Sequence, residues 1–221
     1  MITNYGIDNF ILIILLGIMF LAAGFVARSI LIVSIPLFLI GLFLVFIALW
    51  FFRDPERTIP NEALNDTSYV LSPADGTIMA VIDDFEPNYL KTDTKRISIF
   101  LSPLDVHVNR VPATGVIEFF KFVKGEKLIA NKEDASQKNQ QTLFGLKNEK
   151  GKILFKQIVG ILARRLVWDI KVGDSVKIGQ KFGMMKFGSR MDIHLPKNSL
   201  IKIKIGDRVI AGVTVLAKLP N

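Results

Sequence analysis

Gly179-Gln-Lys-Phe-Gly-Met-Met-Lys-Phe-Gly-Ser-Arg-Met-Asp-Ile-His-Leu-Pro196 is the stretch on which the reading of this 221-residue chain turns. Gly188-Ser189 lies there between strand-like runs, in a chain that has no cysteine and two histidines. A Gly-Ser pair is ordinary turn chemistry. Gly188 has no Cβ, however, so its peptide can take up strained geometry and be approached closely.

Outward from that stretch, the chain after residue 53 is a series of short β-rich runs separated by Gly, Pro and Asp. They are Tyr69–Leu71, Thr77–Ile82, Ile97–Leu101, Val116–Phe122, Ile153–Val159, Ser175–Ile178, Met191–Leu195 and Leu200–Ile205. Runs this short and this evenly punctuated predict a compact, mostly antiparallel β domain with minor helix, a sandwich or flattened barrel. Lys124–Lys150 interrupts the series; Lys, Asn, Gln and Glu dominate it, and it reads as a mobile surface excursion. Val172-Gly-Asp-Ser-Val176 followed by Gly179 is echoed by Ile205-Gly-Asp-Arg-Val209 followed by Gly212. Both read as strand–turn–strand units, with a spacing similar to that of the barrel-sandwich folds of lipoyl- and biotin-carrier domains.

The N-terminal part has a different texture. Phe10–Ala27 and Ile30–Phe52 carry no charge and are separated by Arg28-Ser29. Each is long enough to cross a hydrocarbon core of ~30 Å as a helix. A basic n-region and a small-residue cleavage site are missing, which argues against a signal peptide. Residues 1–52 are therefore expected to form a transmembrane helical hairpin; a single span preceded by a surface segment is the alternative. Arg53 and Arg57 follow the second run directly, Trp50 suits the aromatic belt, and Arg53-Asp-Pro-Glu-Arg57 stops the helix. The positive-inside rule then places residues 53–221 on the cytoplasmic side of the cell (inner) membrane, with Arg28 as a mild objection.

Charge points the same way. Residues 1–52 hold only Asp8 and Arg28, so the rest carries the whole net charge of +8. A domain this basic and tethered to a bilayer suits anionic lipid. No nucleic-acid motif, Gly-rich phosphate loop or nucleotide fingerprint is present. The absence of cysteine excludes disulfides and thiolate chemistry, and His107 and His194 lack a metal-ligand pattern.

Three further constellations carry chemistry. Ser72-Pro-Ala-Asp-Gly76 reads as a turn that presents Asp75. Leu101-Ser-Pro-Leu-Asp-Val-His-Val-Asn-Arg-Val-Pro112 gathers Asp105, His107 and Arg110; on a strand, Asp105 and His107 would share a face. Arg164-Arg165, embedded in apolar sequence, suits carboxylate or phosphate recognition. At Gly188-Ser189 itself, attack of the Ser189 Oγ on the Gly188 carbonyl would turn the amide into an ester. Elimination and hydrolysis would then leave a pyruvoyl group at the new N-terminus, a cofactor made from the chain itself.

In this order and spacing, Phe52–Arg57, Pro73–Gly76, Ser102–Arg110, Ala163–Arg165, Gly179–Gly183 and Phe187–Arg190 carry a resemblance. The chain resembles the phosphatidylserine decarboxylase proenzymes, in their short membrane-anchored branch. The resemblance implies a self-processing carboxy-lyase of phospholipid biosynthesis that converts phosphatidylserine to phosphatidylethanolamine and CO2. Cleavage between Gly188 and Ser189 would give a β chain (1–188) and an α chain (189–221) that stay associated, with homo-oligomers possible. Ser189 would become the pyruvoyl group, whose ketone forms a Schiff base with the substrate amine and takes up the electrons released with CO2. His107 is the candidate for returning a proton to Cα, Asp75 for assisting self-cleavage, and Arg164 and Arg165 for binding substrate.

Two departures matter. The longer bacterial branch carries a second histidine where this chain has Arg110, and Leu-Gly-Ser-Thr where it has Phe187-Gly-Ser-Arg190. Three routes stay open for self-cleavage: His107 does both jobs, Asp75 acts without that histidine, or strain at Gly188 carries the step; His194 can contribute. The rival reading is a membrane-anchored barrel-sandwich carrier or adaptor without decarboxylase activity, with Met184-Met185-Lys186 as its tip. An inactive scaffold is the remaining one.

Overall fold

The computed structural model describes residues 1–126, 128, 135–160, 165–185 and 189–220. They form two units, 1–55 and 56–221.

In the first unit a short 3-10 turn (Asn4–Gly6) leads into α1 (Ile7–Val26), and α2 (Leu31–Phe51) runs back beside it. Both helices are long and apolar enough to cross a bilayer. Apart from Phe51 at the end of α2, their buried positions are small: Gly17 and Gly24 on α1, Ser34, Gly41 and Ala48 on α2. A Cβ on Gly41 would lie 2.7 Å from Leu21 and 2.9 Å from the Gly17 carbonyl, so bare backbone lets the helices approach. Large apolar side chains such as Leu15, Ile32, Leu39 and Phe43 point outward. Thr3 N–H donates to the Phe52 carbonyl (2.9 Å) and Asp54 N–H to that of Met1 (2.7 Å), so both ends of the hairpin lie together. The Arg53 guanidinium stacks over Trp50, 4.2 Å from the ring centre.

The second unit is mostly β. Its elements are α3 (Asn61–Asn65), β1 (Tyr69–Leu71), β2 (Gly76–Glu86), β3 (Thr92–Leu101), β4 (Val108–Arg110), β5 (Gly115–Val123) and α4 (Ala135–Lys138). Then come β6 (Gln141–Asn148), β7 (Gly151–Val159), β8 (Leu166–Trp168), β9 (Ser175–Val176), β10 (Lys181–Met185) and β11 (Ser189–Pro196). The chain ends with β12 (Leu200–Ile201), β13 (Arg208–Val209) and β14 (Val215–Lys218). An eight-stranded sheet runs β13-β2-β3-β11-β7-β6-β5-β9; β4-β10-β8 and β1-β14-β12 form two three-stranded sheets. Every ladder between these strands is antiparallel. Each run expected as a strand contains one.

Alternation decides the faces. Antiparallel partners share a face, so Ser189, Met191, Ile193 and Leu195 of β11 lie with Leu101, Ile99 and Ile97 of β3 and with Val159, Gln157, Phe155 and Ile153 of β7. This inner face packs on Phe182, Met185, Leu166, Val111 and Leu216 to make the core. Burying a side chain of this size contributes roughly 1.5–3 kcal/mol. Phe144, Phe155 and Phe182 meet at its centre, with ring centres 5.3–5.5 Å apart.

The Gly-Asp echo is real geometry. Gly173 and Gly206 take φ of 96° and 92°, and each following aspartate accepts a backbone N–H at 2.9 Å, Asp174 from Lys171 and Asp207 from Lys204. The strands that follow cap opposite edges of the large sheet, β9 on β5 and β13 on β2.

The surface excursion expected over Lys124–Lys150 needs correction. Gln141–Asn148 is β6, a buried strand paired on both sides. Its Leu143, Phe144 and Leu146 are core. Its first two polar residues are also buried and satisfied: Thr142, on the inner face, donates to Gln157 at 2.8 Å, and Gln141, on the outer face, to the carbonyls of Ser136 and Asn139 at 3.2 Å.

Candidate active site

Ser189 is the first residue of β11, registered between Leu101 of β3 and Val159 of β7. It is fully buried, and its hydroxyl has no hydrogen-bond partner among the described residues. A buried hydroxyl left this way costs about 1–3 kcal/mol, which a purely structural serine avoids by bonding its own backbone. Gly188 lies outside the described residues, as do Arg164 and Lys186.

The loop that leaves β3 at Leu101 returns His107 to the same end of the sheet. Ser102–Asp105 is a turn, closed by Asp105 N–H to the Ser102 carbonyl (2.9 Å) and by Ser102 N–H to the Asp105 carboxylate (2.8 Å). Asp105 and His107 are not on a strand, so the shared strand face does not arise: Asp105 ends the turn, where Pro103 cannot extend a ladder, and His107 lies in the irregular chain just before β4. The His107 carbonyl accepts from Met185 N–H at 3.2 Å, tying the loop to the end of β10. His107 is fully buried, with Nδ1 2.8 Å from the Asp105 carbonyl. A carbonyl only accepts, so Nδ1 carries a proton, and when the ring is neutral Nε2 holds the lone pair.

Asp75 immediately precedes β2. Across the sheet Thr77, Phe100 and Arg190 are in register, so Asp75 lies at the Ser189 end of the sheet, two strands or about 10 Å from β11. A Cβ on Gly76 would lie 2.3 Å from the Phe100 carbonyl, so only glycine lets the two strands close here. The Asp75 carboxylate accepts from Arg57 (2.8 Å) and from Ala211 N–H (2.8 Å). Burial raises its pKa, helped by the charge of Asp105, against the Ala211 N–H and Arg57. Arg208 joins the two acids into one cluster: it pairs with Asp105 and reaches Thr77 Oγ1 at 3.1 Å.

Arg110, which replaces the second histidine, is turned away into structural work. Its guanidinium donates to the Gly179 carbonyl at 3.0 Å, and its stem packs where a Cβ on Gly212 would clash. Arg165 is exposed.

Some residues of the site escaped the sequence reading. Thr142 donates to Gln157, and Gln157 donates to Asn109 Oδ1 at 2.8 Å, leaving the buried Asn109 Nδ2 without a partner among the described residues. Gln157 is on the face of Ser189, two residues from the Val159 opposite it. The signal was present in Ile153–Val159, where Gln157 sits at an inward position of an otherwise apolar set.

A buried serine whose hydroxyl has no partner among the described residues, a buried histidine held by the Asp105 carbonyl and a carboxylate of raised pKa are groups suited to acyl transfer and proton movement. The chain's likeness to known proteins agrees. A family model described as phosphatidylserine decarboxylase matches residues 44–217. A phosphatidylserine decarboxylase proenzyme of Salinibacter ruber is 49% identical over 174 residues, covering 78% of this chain and 76% of that protein. Proteins of the same name from Amoebophilus asiaticus and Symbiobacterium thermophilum are 42% and 41% identical, over 78% of this chain and 76% and 79% of their own length. With the match running from the end of α2 to β14 and taking in every element of the site, the chain belongs to the phosphatidylserine decarboxylase family.

Proposed function

We propose that this chain is a proenzyme that cuts itself between Gly188 and Ser189 and, as a two-chain enzyme, decarboxylates phosphatidylserine to phosphatidylethanolamine in phospholipid biosynthesis. The observation that carries the proposal is the Ser189 hydroxyl, buried and without a partner among the described residues, at the head of the strand that pairs with both β3 and β7.

In the first stage Ser189 Oγ attacks the Gly188 carbonyl while His107 Nε2 takes the hydroxyl proton; the C–N bond then breaks as that proton passes to the Ser189 nitrogen, leaving Gly188 as an ester on Oγ and a free amine on residue 189. Of the three routes to cleavage we take His107 doing both jobs, because its Nδ1 is engaged by the Asp105 carbonyl and Nε2 is left to act as the base. Asp75, held by Arg57 and Ala211 N–H at the Ser189 end of the sheet, supplies a carboxyl able to carry a proton nearer neutrality. Removal of the Ser189 Cα proton then expels Oγ as part of the Gly188 carboxylate, which ends the β chain; the dehydroalanine left at residue 189 tautomerises to an imine, and water replaces its nitrogen with release of ammonia to leave the pyruvoyl group. A buried serine in a mostly apolar setting fits that group, which supplies an electron sink for the substrate amino acid. His107 then returns a proton to the substrate Cα once CO2 has left.

The α chain would begin with β11 and include β12 to β14. Met191, Ile193 and Leu195 are fully buried, so it stays associated after the cut. Arg164 and Arg165 are proposed to meet the lipid phosphate. The hairpin of residues 1–52 anchors the enzyme in the cell membrane with residues 53–221 on the cytoplasmic side, where the net charge of +8 draws anionic lipid.

Intact-mass measurement of the purified protein tests the reading. Two fragments divided at 188/189, the smaller with a pyruvoyl N-terminus, are expected; a single uncut chain, or added mass on Lys186, would overturn it.

A further inference from the structure

The outer face of β11 is as buried as the inner one. Arg190, Asp192 and His194 alternate along it, each no more than 1% exposed. Arg190 donates to Asp192 at 2.7 Å, and the Ser136 hydroxyl of α4 donates to the same carboxylate. Burial alone would raise the Asp192 carboxyl, but Arg190, Ser136 and Arg96 together hold it below its ordinary range. Beside this network lies a cavity of about 290 Å³ lined by His194, Lys156, Arg96, Lys121 and Asp84, among others. Lys156 is paired with Asp192, three residues from Ser189 along β11 and on the other face. The cavity is thus about 10 Å or more from the candidate active site.

Two of its groups have unmet needs. Lys156 is 8% exposed and has neither an ion pair nor a hydrogen bond among the described residues. Burial lowers its pKa, although Asp192 and Glu86 oppose the shift. An ammonium in this position calls for an anionic acceptor. The His194 ring calls for the opposite. Its Nδ1 is 3.0 Å from Thr94 Oγ1, and that hydroxyl already donates to the Asp84 carbonyl at 2.7 Å. Thr94 must therefore accept from His194, so Nδ1 holds the proton and Nε2 the lone pair. Nε2 is buried without a partner among the described residues. Burial, with Lys156 adding to it, pushes the His194 pKa down to about 3, which keeps the ring neutral.

The cavity thus presents donors in want of an anion and one acceptor in want of a hydroxyl. Among the described residues its lining has three cations, Arg96, Lys121 and Lys156, against one carboxylate, Asp84, which pairs with Arg96 at 3.0 Å. The volume far exceeds the ~30 Å³ share of a single water. We propose that this cavity is a second binding site, for a small phosphate compound that also carries a hydroxyl: hydrogenphosphate itself or a phosphorylated polyol, free or as a lipid headgroup. Lys156 and Lys121 meet the phosphate oxygens, and His194 Nε2 accepts the ligand hydroxyl. Sulfate has the same shape and charge but no proton to give, so it meets only half of the demand.

Calorimetric titration of the full-length protein in detergent and phosphate-free buffer tests this, with inorganic phosphate, glycerol 3-phosphate, sulfate and phosphatidylglycerol vesicles as probes. Saturable binding of phosphate or glycerol 3-phosphate, at least about tenfold tighter than sulfate, is expected. Binding confined to the vesicles assigns the ligand to a lipid headgroup; binding of the free probes assigns it to the soluble pool. Lys156→Met should weaken binding by about tenfold or more, while self-cleavage and turnover persist. His194→Phe should erase the preference over sulfate. Lys121→Met, at an exposed position where folding is not at stake, should weaken binding severalfold. Absence of saturable binding by every probe, equal affinity for phosphate and sulfate, or unchanged affinity in Lys121→Met and Lys156→Met would overturn the proposal.

Discussion

The two halves of the eight-stranded sheet start from one plan: Ser72-Pro-Ala-Asp-Gly-Thr-Ile78 opens the first, and Val111-Pro-Ala-Thr-Gly-Val-Ile117 opens the second. In each half the glycine leads a strand across whose face a carbonyl lies too close for a Cβ, Phe100 in one and Lys147 in the other. In each, a Gly-Asp turn caps the edge, and the residue before the glycine accepts a backbone N–H: Asp75 from Ala211, Thr114 from Ile178. The halves differ in how the next pair of strands is joined. β6 and β7 close through Glu149-Lys150, with Asn148 opposite Gly151. The equivalent pair in the first half is Leu101 opposite Ser189, and there the hairpin is open. The chain leaves through the His107 loop and comes back by way of β10. The candidate site occupies the place of a missing hairpin turn, and the residue that only holds a turn in one half is a carboxylate with an arginine partner in the other.

Substitutions made in matched pairs put that contrast to the test. Ser189→Ala should leave the chain whole and abolish decarboxylation, as intact mass and CO2 release would show. Gly151→Ala, at a φ of 136°, should lower stability by about 1 kcal/mol and leave cleavage intact. Loss of cleavage in the second variant would mean that the two strand ends are not functionally distinct. His107→Ala should reduce turnover by about 10²–10⁴-fold in whatever fraction is cut. If its cleavage rate stays normal, the ring serves only the decarboxylation step. Asp75→Asn should slow cleavage by about tenfold or more, whereas Thr114→Val should remove about 1 kcal/mol of stability and nothing else. Equal cleavage rates in those two variants would reduce Asp75 to a turn residue.

The smallest effect concerns the inner and outer faces of β11. His194 has a folded pKa of about 3, below its ordinary 6.5, so the unfolded chain binds a proton that the folded one refuses. Its contribution is present above pH 6.5 and is lost as pH falls toward 3. Between pH 6.5 and 5.5 the loss should be about 1 kcal/mol. Denaturant titrations of the wild type and His194→Phe should diverge over that interval; parallel curves would place His194 in contact with water.

The same strand shows where sequence reading stops. Composition and spacing made the apolar runs of residues 10–52, the punctuated β texture and the Gly188-Ser189 pair legible, because each is a local pattern. Arg190-Met-Asp-Ile-His-Leu195 alternates as a strand with one wet face would, yet its polar side chains are buried against partners as distant as Arg96, Ser98 and Ser136. Local periodicity carries no information about a partner about one hundred residues away. β6 escaped for the same reason: its Thr142 is polar but inward, satisfied by Gln157 across the ladder. The likeness of Ser72–Ile78 to Val111–Ile117 was in plain view, but it gains meaning only when the two segments are seen leading equivalent strands.

Ser189 finds its neighbours only when β3 and β7 already flank it, and these come from opposite halves of the sheet. Maturation by the proposed cut is then a quality check built into the polypeptide. A chain that has not completed its tertiary structure cannot arm itself, and the proportion of precursor in a cell would serve as a running census of molecules that failed to fold.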